Sequence, residues 1–286
     1  MSVRQQQPMQ DTAPGQVRAL TPAELERYRV DGVVHIAQLV DAASCERLLR
    51  AADERRANPG PNSSAMADQG RFWEERESHL LNADMAHFVR HSGLAEQAAR
   101  AMSASEVRFY FDHIFMLREN TAKNQYYWHQ DMPYWACDGR QLCSFWLALT
   151  DCTLESGALE FVLGTDQGPQ YEPVPFADDE LITESPPPEA LPPRYEQERD
   201  RWRIVSWDIK AGDAILFNGR IMHSSRGNHS LTQRRVAYST RWIGPDMVYR
   251  RRPGFQDPVT LPPPGVEYGE PLARNPKYPL LWSQSW

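Results

Sequence analysis

Apolar positions along the chain follow two periods, and the change from one to the other divides it. Up to about residue 102 the spacing is helical. Thr21-Pro22-Ala23-Glu24 predicts a helix start: Thr caps, Pro takes the first helical position, and Glu closes a capping box. This helix runs to about Arg29. Asp31-Gly32 then turns the chain into a short strand, Val33 to Ile36. Asp41 opens a second helix in which Leu48, Leu49 and Ala52 recur at helical spacing. Asn58 to Gly70 reads as a polar Gly/Pro/Ser loop. Met85 to Met102 returns to the helical period, with Phe88, Val89, Leu94 and Ala98 on one face.

From Val107 onward the chain reads as strands: Val107 to Leu117, Leu142 to Leu149, Ala158 to Val162, Ala214 to Phe217 and Val236 to Trp242. Helices first and strands afterwards, without β-α-β alternation, predict an antiparallel jelly roll with helices packed outside it. The fold class is therefore mainly β with flanking helices. Gln167 to Arg203 is a long, acidic, Pro-rich connection containing Ser185-Pro186-Pro187-Pro188. A structureless segment of that length in a compact domain is functional or disordered, and its place in the strand order brings both ends to the barrel mouth, as a lid would require. Residues 250–286, rich in Pro and aromatics, read as an irregular tail over the barrel, and residues 1–18 as disordered by composition.

The 286 residues suit one domain spanning 1–286. A net charge of −7 and the lack of a long basic run exclude the electrostatic footprint of a nucleic-acid binder. No apolar run is long enough to cross a bilayer, and the polar, Gln-rich N-terminus lacks the apolar core of a signal peptide, so a cytoplasmic protein with no membrane partner is expected. Cys45, Cys137, Cys143 and Cys152 show no Cys-x-x-Cys spacing and read as reduced, buried thiols. The sequence does not specify an oligomeric state.

The candidate chemistry lies in Tyr127-Trp128-His129-Gln130-Asp131. Residues i and i+2 of a strand share one face, so His129 and Asp131 can address one metal ion while Gln130 points the other way. A third ligand follows in His223, after the Gly212-Asp213 turn and its apolar strand. Two imidazoles and a carboxylate form the facial triad of non-haem Fe(II) oxygenases, which leaves coordination positions open. His113 reads as a hydrogen-bonded strand histidine and His229 as exposed. Tyr127, Trp128, Tyr134 and Trp135 are either core or substrate wall, and Arg118, Lys123 and Arg220 read as solvated surface.

Three blocks carry a family resemblance: Trp128-His129-Gln130-Asp131-Met132-Pro133-Tyr134-Trp135, then Glu155 to Thr165, then Gly212 to Trp242. In kind and order they resemble the Trp-His-x-Asp, Asn-Gly-x-Leu-x-x-x-Pro-Gly-Ser and Gly-Asp…His…Arg blocks of the phytanoyl-CoA dioxygenase family. The match covers roughly residues 105 to 250. Leu163-Gly164-Thr165 stands where Pro-Gly-Ser is usual, and a Lys common before the His-x-Asp is here Leu117 or Arg118.

The resemblance implies a cupin-like double-stranded β-helix holding Fe(2+) and using 2-oxoglutarate and O2 to oxidise a small-molecule substrate, with succinate and CO2 as coproducts. It also implies a cation for the distal carboxylate of 2-oxoglutarate. Spacing from His223 favours Arg234, but the strand pattern Arg235-x-Ala237-x-Ser239-x-Arg241, which resembles the family's Arg-x-Ala-x-Ser block, makes Arg235 the expected residue. Trp146 and Gln130 occupy positions that the family places beside the cosubstrate. Asp131 disfavours halogenation, because the related halogenases replace this carboxylate with a small residue. Desaturation, ring closure and epimerisation remain open beside hydroxylation. The alternatives are a cupin-like metal enzyme that does not use 2-oxoglutarate and a non-enzymatic jelly-roll binding protein.

Overall fold

The computed structural model describes residues 15–65, 71–121, 126–173, 190–250, 257–262 and 264–285. Helix α1 spans Pro22–Asp31 with the capping box at Thr21 and Glu24 formed, and Gly32 ends it at φ 75°. Strand β1 is Val33–Ile36, and α2, Ala42–Ala57, is capped by Asp41. The single helix expected over Met85 to Met102 is instead two, α3 (Ala83–His91) and α4 (Leu94–Met102). Gly93 between them has φ 83°, a left-handed conformation that breaks the helix at little cost only because the residue has no Cβ.

The remaining strands are β2 (Ser63–Ser64), β3 (Phe72–Arg76), β4 (Glu106–Leu117), β5 (Tyr126–His129), β6 (Cys137–Asp138), β7 (Leu142–Ala148) and β8 (Leu159–Val162). After the long connection come β9 (Ile204–Val205), β10 (Ala214–Asn218), β11 (His223–Ser225), β12 (Arg235–Ile243), β13 (Val248–Tyr249) and β14 (Leu280–Ser283). Among the described residues the larger sheet runs β1-β10-β7-β12-β4-β3-β2, with β14 also paired to β4. The smaller runs β5-β11-β8-β9, and β13 pairs with β6.

The larger sheet is the middle of three layers. On one face Val34, Leu216, Phe145, Leu147, Val236, Tyr238 and Ile114 pack against Leu48, Met85, Phe88 and Ala98 of the helices. On the other, Val33, Ile215, Phe217, Trp146 and Ala237 pack against Leu159 and Phe161 of the smaller sheet. Every residue of β7 and β12 is buried for this reason. Two-sided burial removes the polar/apolar alternation of a surface strand, and each large apolar side chain so enclosed contributes about 1.5–3 kcal/mol.

Strand β3 lies just past the segment read as a loop, and its Phe-Trp-Glu-Glu-Arg sequence carries too much charge to read as a strand. Its charges are met from elsewhere. Glu75, fully buried, takes Arg55 at 2.8 Å and the Gly60 amide at 2.6 Å, while Glu74 meets His113 at 3.1 Å. The tail is likewise not wholly irregular, since β14 extends the larger sheet along β4. Residues 1–14 and 174–189 lie outside the described residues, and with them most of the segment read as disordered and the middle of the one read as a lid. Residues 15–18 do not follow the disordered reading: Val17 is buried and its amide donates to the Ser92 carbonyl at 2.8 Å. No helix among the described residues is long and apolar enough to cross a membrane.

Candidate metal centre

The smaller sheet brings the two histidines together. Strand β11 pairs with β5 so that His223 lies directly opposite His129, and their ring centroids are 4.3 Å apart. Both are buried. Strand β5 stops at His129, so Asp131 is not placed by strand alternation. Its backbone is helical (φ −66°, ψ −45°) at the start of a 3-10 turn, Met132–Tyr134, and the Met132 amide is tied to the Gly219 carbonyl at 2.9 Å. This bend carries the carboxylate back over the sheet, where Asp131 Oδ1 lies 3.6 Å from Nε2 of both histidines.

The potential ligand atoms of the three residues all lie within 4.8 Å of one another. Donors set at right angles about 2.1 Å from one ion stand about 3 Å apart, so small side-chain rotations suffice to close this triad on a metal. Protonation also suits a metal. His223 Nδ1 donates to the Ile221 carbonyl at 3.1 Å, which leaves the Nε2 lone pair facing the site. Burial, reinforced by the neighbouring His129, pushes the His223 imidazole down to about 4. At Asp131 burial acts upward, but His223, His129 and Arg241 together outweigh it and hold the carboxyl well below its usual range. The site therefore offers a neutral His223 imidazole and an ionised Asp131 carboxylate near pH 7.

Apolar rings close the site: Phe161 and Phe217 lie 5.6 and 5.1 Å from the His223 ring, and Tyr134 meets His129 edge-on at 5.8 Å. A narrow cleft reaches His129 between Trp128, Pro133, Tyr134, Tyr171 and Pro192. Tyr171 and Pro192 belong to the described ends of the long connection. The side chain of Tyr127 lies outside the description. Trp128 packs against Tyr195, and Trp135 against Phe111.

The two candidate arginines are separated by strand alternation. Arg235 is 1% exposed, donates from Nη1 to the Gly157 carbonyl at 2.8 Å and lies 5.6 Å from the Trp146 ring. Arg234 points outward, where Asp53 takes it at 2.6 and 2.9 Å. Gln130, expected beside the cosubstrate, has its amide taken up by main chain: it donates to the carbonyls of Pro169 and Arg220 and accepts from the Tyr171 amide, pinning the long connection to the barrel. Leu117 is buried opposite Arg235, and Arg118 is exposed. His113 is hydrogen-bonded to Glu74, and His229 is exposed.

Residues 28–236 match the sequence family described as phytanoyl-CoA dioxygenase (PhyH). The chain belongs to the phytanoyl-CoA dioxygenase family. An Arabidopsis thaliana family member, described as a phytanoyl-CoA dioxygenase, is 30% identical over 118 residues, which are 41% of this chain and 38% of that relative's length. Among solved structures, the fold is similar to that of the non-haem alpha-ketoglutarate-dependent carbocyclase SnoK of nogalamycin biosynthesis. That match has a TM-score of 0.72 and 19% identity, covering 95% of this chain and all of SnoK. The epimerase SnoN, solved with Fe3+, alpha-ketoglutarate and nogalamycin RO, matches with a TM-score of 0.68 and 23% identity over 92% of this chain and all of SnoN. EctD from S. alaskensis, solved with 2-oxoglutarate and 5-hydroxyectoine, matches at 0.67 and 20%, covering 89% of this chain and 86% of EctD. The fold of this family member is thus the expected jelly roll.

The strand alternation that selects Arg235 also points inward a residue that the sequence reading gave no role, Arg241. Its charge acts on both Asp131 and His223. The signal was present in the two-residue spacing of Arg235, Ala237, Ser239 and Arg241.

Proposed function

We propose that the protein is an Fe(II)- and 2-oxoglutarate-dependent oxygenase acting on a small organic molecule. In this reading His129, Asp131 and His223 hold the metal, and Arg235 takes the distal carboxylate of 2-oxoglutarate. The observation that carries it is the convergence of the three ligand atoms within 4.8 Å inside the jelly roll, with a buried arginine at the start of β12. Fe(II) bound there would supply oxidation of a C–H bond by O2, coupled to conversion of 2-oxoglutarate to succinate and CO2.

The chain's own contribution is binding, orientation and exclusion of water. The guanidinium of Arg235 matches a carboxylate in charge and plane, and the Gly157 carbonyl fixes its direction. Trp146 supplies a flat apolar wall beside it. Phe161 and Phe217 keep the His223 side dry, and in such surroundings charge-assisted contacts to the cosubstrate strengthen. Asp131 supplies the negative charge that a divalent ion needs in a buried site.

A cupin-like enzyme that does not use 2-oxoglutarate would have no need of a buried arginine on β12. Anaerobic titration of the protein with Fe(II) and then 2-oxoglutarate tests the reading. A visible metal-to-ligand charge-transfer band that bleaches on admitting oxygen, with succinate formed, is the expected result. Fe(II) binding without that band would overturn the role of 2-oxoglutarate.

A further inference from the structure

Arg241 is 3% exposed, and neither its Nε nor its Nη1 has a hydrogen-bond partner among the described residues. Two hydroxyls beside it share that condition. Ser144 lies directly opposite Arg241 on β7, and Ser239 is two positions back on β12, on the same face; Oγ of each is buried and unpartnered. Buried polar groups are almost always hydrogen-bonded, and an arginine cannot shed its proton to escape the cost of burial. Three neighbouring side chains left unsatisfied on one inner wall mark a place built for a ligand.

The carboxylates whose charges reach Arg241 are Asp131, Asp257, Asp112 and Glu74, and all are otherwise engaged. Asp131 faces the two histidines. Asp257 takes Arg76 at 2.9 Å. Asp112 accepts from the His79 amide and from the Tyr238 hydroxyl. Glu74 meets His113 at 3.1 Å and Arg76 at 3.6 Å. The guanidinium is instead bordered by rings, with Phe111, Trp135 and Phe115 centred 4.6, 5.1 and 5.9 Å from Cζ. Aromatic faces attract the cation without occupying its N–H donors, so those donors remain available to an oxyanion.

We propose that Arg241, Ser144 and Ser239 form a second anion subsite in the barrel, separate from Arg235, which takes the carboxylate of the primary substrate. The substrate class is then a carboxylic acid with an aromatic or otherwise flat apolar body, seated against Phe111, Phe115 and Trp135. Calling this ligand the primary substrate rests on the oxygenase reading above; the subsite itself does not.

Calorimetry on the metal-free full chain tests it, with phenylacetate as probe and phenylacetamide as its uncharged counterpart. The wild type should bind the acid about ten-fold or more tightly than the amide, as expected of a buried charge-assisted contact. That preference should vanish in Arg241→Met, shrink in Arg241→Lys and survive in Arg235→Lys. With Fe(II) under anaerobic conditions, 2-oxoglutarate affinity should fall in Arg235→Lys and stay unchanged in Arg241→Lys. Equal binding of acid and amide by the wild type would mean that only water meets these donors, and would overturn the proposal even if no Arg241 variant folds. Persistence of the preference in Arg241→Met would overturn it too, as would a loss of 2-oxoglutarate affinity in Arg241→Lys as large as in Arg235→Lys. Failure of the oxygenase reading would appear separately, as the missing charge-transfer band, and would leave the calorimetry untouched.

Discussion

The main-chain oxygen of Gly157 accepts a 2.8 Å hydrogen bond from Nη1 of Arg235, so a glycine in the turn before β8 sets the direction of a buried guanidinium on another sheet. Gly157 has φ 96°, and a Cβ there would stand 3.0 Å from the Gly227 carbonyl oxygen. Gly157→Ala should therefore cost about 1–2 kcal/mol in backbone conformation alone and shift the carbonyl that Arg235 uses. The expected outcome is a lowered melting temperature and weakened 2-oxoglutarate binding, with Fe(II) affinity retained. Unaltered cosubstrate affinity in a folded variant would show that Gly157 does not position Arg235.

His129→Ala, Asp131→Ala and His223→Ala should each abolish turnover while the fold survives, because loss of one of three ligands removes the metal and leaves the core largely packed. Circular dichroism and Fe(II) titration check the two halves separately. Normal activity of any one variant at saturating Fe(II) would remove that residue from the ligand set.

Replacing the two arginines should have very different effects. Arg235→Ala should raise the apparent KM for 2-oxoglutarate severely, since a lost charge-assisted contact to a buried carboxylate costs on the order of 2–5 kcal/mol. Arg234→Ala removes a half-exposed pair with Asp53, worth about 0–1 kcal/mol of stability, and should leave KM nearly unchanged. Steady-state kinetics with 2-oxoglutarate as the varied substrate decides between them.

All four cysteines are buried, and burial pushes the thiols of Cys45 and Cys152 up to about 11. At pH 8 only about one in a thousand of each is thiolate, so the native protein should resist iodoacetamide, and unfolding should expose all four thiols to it. The linkage has a definite sign. Folding favours the protonated thiol, so this contribution is fully present below the ordinary thiol value of 9.0 and is lost as pH rises through about 11. Mass spectrometry after alkylation at pH 8, with and without denaturant, checks the first claim. A melting temperature that falls across pH 9 to 11 checks the second.

Features that depend on residues a few positions apart were legible in the sequence. The capping box at Thr21 and Glu24, the Asp41 cap and the apolar runs of β4, β7 and β12 all came through with boundaries shifted by a residue or two. That Arg234 and Arg235 face opposite ways was legible for the same reason, since neighbours on a strand alternate between its two faces.

What only the tertiary structure decided involves partners distant in the chain. Strand β3 exists because Arg55 pairs with Glu75 and His113 hydrogen-bonds Glu74, and β14 because β4 offers it an edge. Asp131 reaches the histidines through a 3-10 turn beyond the end of β5 rather than by alternation within it. Gln130 finds its partners some forty and ninety residues away. Arg241 looked like one more strand arginine until the register set Ser144 opposite it and Phe111 beside it. A sequence read locally carries caps and periods, because these are fixed by the chain's own geometry. Register and the pairing of buried charges depend on segments that meet only after the chain has folded, and those meetings build the metal centre and the arginine wall around it.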